Sequence, residues 1–180
     1  DRPNIQPEEW KMIAEEVYHC LPEYDGIVVL HGTDTMAYTA SMLSFMLQNV
    51  DKPVVITGSQ LPIGHPNTDA KLNLEHALIT AASGLAGVFV VFDGTIMLGC
   101  RVAKVRTTSQ NAFESINRPP VGTIRSGKVR VSAPPEPARG ALALDDAIDD
   151  SVFLLKLIPG ARREVFDVIS KLGYRGVVIE

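Results

Sequence analysis

Cysteine is scarce in this chain: Cys20 and Cys100 are the only two, far apart and in apolar surroundings. That rules out a disulfide framework and leaves buried free thiols, which fit a reducing compartment. Basic residues are not in excess, with 17 Lys and Arg against 21 Asp and Glu and a formal net charge of −4. Direct binding of nucleic acid is therefore not expected, since it wants a basic stripe. No apolar run approaches the ~20 residues that cross a bilayer as a helix, so no membrane-spanning helix is expected. Internal repeats and low-complexity segments are also missing. The chain begins at Asp1 without Met, so the lack of a signal peptide carries no weight. What is present is ordinary globular composition: 180 residues, 46% hydrophobic and 21% charged, enough for one full core and part of a second.

The stretch DGIVVLHGTDTMAYTASMLSFML, residues 25–47, organises the rest. Its β-branched run at 27–30 is apolar on both faces and reads as a strand in the middle of a parallel sheet. A tight turn, His31-Gly32-Thr33-Asp34, leads into a helix that Asp34 or Thr35 can cap. Hydroxyls and a carboxylate thus gather between the carboxyl end of a strand and the amino end of a helix. Open α/β sheets bind ligands there, and the helix terminus adds positive potential suited to a carboxylate or an oxyanion.

Around that stretch the chain alternates. Gln6-Pro7-Glu8-Glu9 starts a helix whose buried face is Trp10, Ile13, Ala14, Val17 and Tyr18, with Pro22 as its stop. A strand at 52–57, a polar loop at 58–68 and a helix from Asp69 follow. Leu72, Leu74, Ala77, Leu78 and Ala81 are expected on the buried face of that helix. A strand at 87–92 completes an αβαβαβ order, which predicts an α/β fold with a mostly parallel, doubly wound sheet. Asp93-Gly94 signals a hairpin, residues 102–106 alternate like a strand, 111–117 read as irregular or a short helix, and 121–131 form a second hairpin around Ser126-Gly127. The expected organisation is an α/β domain at 1–132 with an antiparallel extension, and a proline-rich then acidic linker at 133–150 carrying a short helix at 141–148. A single βαβ unit at 151–180 would be the start of a smaller α/β domain. One βαβ unit cannot bury both faces of its sheet, so a truncated chain is expected.

Amide hydrolysis needs a nucleophile, a group to remove its proton, and donors for the oxyanion. Thr33 offers a hydroxyl, and Asp34 can bind an ammonium or a cation; the plain alternative is that both only cap the helix. Spacing identifies no base for Thr33. His31 reads as a histidine bonded to local backbone. Lys104, between Ala103 and Val105, is a base if its stem is buried and a snorkelling surface lysine if it is not.

HGTDTMAYTASMLSFML resembles the second conserved block of the bacterial-type L-asparaginases, nearer the cytoplasmic type I branch and its archaeal relatives than the periplasmic type II branch. RVAKVRTTSQNAFESIN is similar to the family block that carries a lysine, and VVITGSQLP to the block that lines the substrate amide. The resemblance implies a Thr–Lys–Asp constellation of Thr33, Lys104 and Asp34, Ser59 at the substrate through its backbone, and an oxyanion N–H from Gly32. It implies hydrolysis of L-asparagine to L-aspartate and ammonia without metal or organic cofactor, in a cytoplasmic homodimer or homotetramer. His65, Thr68 and Asp69 are assigned no role beyond structure.

Two departures stand out. The family's first nucleophile lies in an N-terminal TGGTI-like block, followed by a mobile loop with a tyrosine, and these 180 residues contain neither. The family also carries Asp-Ser where this chain has Asp1-Arg2; Arg2 is then a bulkier partner for the substrate α-carboxylate, a surface arginine, or a mark of altered specificity. Residues 1–180 alone are therefore not expected to turn over asparagine. Two rival readings follow: the asparaginase-like subunit of an archaeal tRNA-dependent amidotransferase, which carries a very similar block, and a non-catalytic asparaginase-like binding module.

Overall fold

The computed structural model describes residues 5–180, and Arg2 lies outside them. Contacts divide the chain into two compact units, one ending at Asp146 and the other spanning Ala147–Glu180.

The larger unit opens with α1 (Pro7–Cys20), which begins as the sequence dictates: Pro7 at the first position, Glu8 and Glu9 in the first turn, and the Gln6 backbone N–H donating to the Glu9 carboxylate at 2.8 Å. Ala14 and Val17 are its fully buried positions. Then come β1 (Ile27–Leu30), α2 (Met36–Met46), β2 (Leu47–Gln48), β3 (Pro53–Thr57), α3 (Ala70–Ala81) and β4 (Gly87–Phe92). The strands β5 (Thr95–Leu98), β6 (Val102–Lys104), β7 (Phe113–Ser115), β8 (Gly122–Arg125), β9 (Lys128–Val131) and β10 (Ala143–Leu144) complete the unit.

The main sheet has the order β1-β3-β4-β5-β8-β9. Its first three strands are parallel, with Ile27 opposite Val54 and Val54 opposite Val88. The other three are antiparallel, joined in part by the two expected hairpins. Their turn residues have positive φ, 46° and 69° at Asp93-Gly94 and 50° and 70° at Ser126-Gly127, as type I′ turns require. Every residue of β3 is buried, consistent with its unbroken apolar run. A core of Val55, Ala77, Phe89, Val91, Ile96, Val121 and Ile124 joins the sheet to α3.

Four expectations change. Among the described residues β1 is an edge strand, paired only with β3, and Leu30 at its end is 66% exposed; apolarity on both faces does not say how many neighbours a strand has. On α3 the buried face is Asn73, Ala77 and Thr80, while Leu72 and Leu78 are 50% and 55% exposed. The stripe toward the sheet carries polar residues because their hydrogen bonds are made there: Asn73 donates to the Gly58 carbonyl at 3.0 Å, and Thr80 to that of His76 at 2.9 Å. Residues 113–115 form β7, fixed by antiparallel pairing with β6, a contact that local propensity does not report. Residues 141–148 hold no helix; Ala143 and Leu144 pair instead with Gln48 and Leu47.

The smaller unit is β11 (Val152–Leu155), α4 (Glu164–Lys171) and β12 (Gly176–Ile179), a parallel βαβ unit with Val152 opposite Gly176. Leu155 and Ile169 are its buried apolar residues.

Candidate active site

The turn after β1 is held against the end of β3. The His31 N–H donates to the Thr57 carbonyl at 2.8 Å, carrying the parallel ladder one step past the strand. Gly58 makes that approach possible: a Cβ there would stand 2.0 Å from the His31 carbonyl oxygen and 2.9 Å from Met36 Cε. Thr57, Gly58, Ser59 and Gln60 therefore face Gly32, Thr33 and Asp34 across a cleft of about 590 Å³.

His31 fixes the turn from beneath. Its Nδ1–H donates to the Gly32 carbonyl at 2.8 Å, which can only accept. In the neutral ring Nε2 is then an acceptor, and it takes the Thr39 hydroxyl proton at 2.9 Å. The Thr39 oxygen in turn accepts the Trp10 indole N–H at 2.9 Å. Thr39 is fully buried, so this chain of bonds ties α1 through α2 to the turn. The local-backbone reading of His31 matches this geometry.

Neither turn residue caps α2. Thr35 is the N-cap residue and makes no side-chain capping bond. The Thr33 hydroxyl and the Asp34 carboxylate meet Lys104 instead: its Nζ donates to Thr33 Oγ1 at 2.8 Å and to Asp34 Oδ1 at 2.6 Å. Lys104 arrives on β6, whose base is pressed onto α2 at Gly99, where a Cβ would come within 2.6 Å of Ser44 Oγ and 2.9 Å of the Ala40 carbonyl oxygen. Its side chain is 12% exposed and the Asp34 carboxylate 76%, so the ammonium is covered while its counter-ion faces solvent. Thr33 and Asp34 line the cleft, and Lys104 reaches them from outside its lining. Gly32 and Thr33 line the cleft, and none of the described residues accepts from their backbone N–H groups.

Sequence reasoning missed the support of the opposite wall. Asp69 has the structural role expected of it, and its partners are what the sequence did not show: its buried carboxylate takes the Gln60 N–H at 2.9 and 3.1 Å, the Leu61 N–H at 3.0 Å and the Asn73 amide at 3.0 Å. Asn73 also accepts the Asp93 N–H at 3.1 Å, and Thr68 donates to the Leu61 carbonyl at 3.0 Å. The available signal was the buried polar set itself, Asp69 and Asn73 at i,i+4 on a helix start. Chemically, the arrangement offers a hydroxyl held by an ammonium–carboxylate pair, backbone N–H groups beside it, and a rigid polar loop facing it.

The chain matches the family described as "Asparaginase, N-terminal" over residues 1–137. It is 45% identical over 176 residues to an L-asparaginase of Thermococcus kodakarensis, covering 98% of this chain and 53% of that protein. It is 40% identical over 188 residues to a glutamyl-tRNA(Gln) amidotransferase subunit of the same organism, covering 98% of this chain and 43% of the relative. The solved structure of the thermostable L-asparaginase from Thermococcus kodakarensis superposes with a TM-score of 0.94 at 45% identity, covering 98% of this chain and 53% of that one. The chain thus spans about half the length of the relatives it matches.

Proposed function

The chain belongs to the asparaginase family, and from that premise we propose that its site serves hydrolysis of the side-chain amide of L-asparagine to L-aspartate and ammonia. The observation that carries the reading is the Lys104 Nζ at 2.8 Å from Thr33 Oγ1 and 2.6 Å from Asp34 Oδ1.

In this reading the Lys104 ammonium first gives up a proton to solvent, the amine then takes the Thr33 proton, and Asp34 balances the ammonium that is restored. The Thr33 oxygen takes a proton from an attacking water molecule as the water oxygen bonds to the amide carbon. The Gly32 and Thr33 N–H groups receive the oxyanion, where one such donor is worth about 10²–10³ in rate. Collapse breaks the carbon–nitrogen bond, and the proton held by Lys104 returns through Thr33 to the leaving nitrogen. In the same reading the Ser59 backbone faces the substrate amide and Asp34 the substrate ammonium; Arg2, expected at the α-carboxylate, lies outside the described residues.

The test is ammonia release from L-asparagine by the full-length protein, beside Thr33→Ala. Release that falls at least a hundredfold in the variant supports the reading; equal release by both proteins sinks it. The 40% identity to an amidotransferase subunit favours a second reading, in which ammonia is passed to a partner enzyme. Strong stimulation of ammonia release by a partner subunit would select it. A cytoplasmic homodimer or homotetramer accompanies the first reading, and sedimentation checks the assembly; the two thiols expected to be buried are half-buried at Cys20 and exposed at Cys100.

A further inference from the structure

We infer that Gln60 is a positioning residue that sets Lys104 relative to Thr33, an inference that rests on the catalytic reading of Lys104. Gln60 is held at both ends. Its backbone N–H is gripped by the two carboxylate oxygens of buried Asp69, at 2.9 and 3.1 Å. Its side-chain Nε2 donates to the Thr107 carbonyl at 3.1 Å and to the Ser109 carbonyl at 3.2 Å, 47 and 49 residues away. Both partners are carbonyls and can only accept, so the amide has one orientation and both its N–H groups are used.

Thr107 and Ser109 belong to the tip of the β6–β7 ribbon that carries Lys104. Lys104 is the last paired residue of β6, opposite Phe113, so its direction follows the ribbon beyond it. The base of that ribbon is fixed by Gly99 against α2, and a Gln110 amide bond to the Asn67 carbonyl adds a long contact of 3.4 Å at the tip. Gln60 supplies the two shorter bonds across the gap between the Ser59 loop and the lysine ribbon. Phe113, opposite Lys104, packs edge-on against Phe92 with ring centroids 4.9 Å apart, and Ala112 is buried, so without the Gln60 bonds it is the turn beyond these two residues that loses its hold. A reacting group displaced by about 1 Å can cost around a hundredfold in rate, so the strut matters to chemistry before it matters to folding.

The test is Gln60→Glu in the full-length protein, with Gln60→Met as the second variant and Lys104→Met in parallel. Glutamate keeps the shape, but its ionised carboxylate cannot donate to two carbonyls. The expected result is a kcat reduced between about ten- and a hundredfold, with KM within about threefold and the melting temperature within a few degrees. The kcat deficit of Gln60→Glu should narrow as pH falls and the carboxyl regains one O–H donor; Gln60→Met should show no such recovery. Unchanged kcat, a loss confined to KM, no recovery at low pH, or variants that unfold would each overturn the role. If Lys104→Met keeps normal turnover, the catalytic reading itself fails and this inference with it. If Lys104→Met is inactive and Gln60→Glu is normal, only the inference fails.

Discussion

The Lys104 ammonium lies 2.8 Å from the Thr33 hydroxyl across 71 residues of sequence. Two elements far apart in the chain are brought together for one polar contact, and the contact contributes little to folding. Asp34, the other partner, is largely exposed, so the ion pair is screened and contributes at most about 1 kcal/mol. Lys104→Met should therefore leave the melting temperature within a few degrees of the parent. Turnover of L-asparagine by the full-length protein should fall between about 10²- and 10⁴-fold, the range for a lost acid–base group. Steady-state kinetics beside calorimetry separates the two effects, and normal kinetics would remove Lys104 from the mechanism.

Gly58 tolerates no side chain. A Cβ there would stand 2.0 Å from the His31 carbonyl oxygen, an approach that only a backbone shift relieves. The shift would separate the ends of β1 and β3, the place where the cleft is built. Gly58→Ala should lower stability by about 1–3 kcal/mol, the usual cost of forcing atoms into a packed site. Chemical denaturation measures it, and a change under about 0.5 kcal/mol would mean that the strand ends yield freely.

Thr39→Val tests the bonds beneath the turn. Valine matches threonine in shape but has no hydroxyl. The Trp10 indole N–H and His31 Nε2, both half-buried, lose their partner at a buried position. A buried group left unpaired costs about 1–3 kcal/mol, so a loss within or somewhat above that range is expected. Trp10 is the only tryptophan in the chain, so its fluorescence reports the change directly. An unaltered emission spectrum with unaltered stability would show that the chain of bonds carries no energy.

The three parallel strands were legible as continuous β-branched runs, although only β3 is buried along its whole length, and the HGTD turn was legible from its place between a strand and a helix. The buried face of α3 was not. Counting apolar residues favours Leu72 and Leu78, whereas Asn73 faces the sheet because Gly58 and Asp93 offer it partners there. Those partners are 15 and 20 residues away, beyond any local pattern. The same reason hid the Gln60 strut, whose acceptors lie across another ribbon. Thr33 and Asp34 stood out from their place between a strand end and a helix start, whereas Lys104 was joined to them through family resemblance, since spacing alone gave Thr33 no base. Their convergence is a property of the tertiary structure: β6 is seated on α2 through Gly99.

The smaller unit gives a prediction that involves no catalysis. The Asp149 carboxyl is held down to a pKa of about 2, from an ordinary value of 3.8. The Ser151 hydroxyl is the largest cause, the Ser151 backbone N–H the next, and Arg175 follows. Ser151 Oγ also accepts the Arg175 Nε–H at 2.9 Å, so it orients the guanidinium that meets Asp149 at 2.7 Å. Because the folded pKa is depressed, these bonds favour the folded unit at pH values above the ordinary carboxyl range. Their contribution is lost as pH falls through that range toward about 2. The group is exposed, so salt should weaken the Arg175 part of the effect more than the hydroxyl part. Ser151→Ala should raise the Asp149 pKa further than Arg175→Ala does, because it removes the strongest donor and also loosens the arginine. Carboxyl-resolved NMR titration of the three proteins decides the order. A larger rise in Arg175→Ala would mean that charge, rather than the hydroxyl bond, holds the carboxylate down.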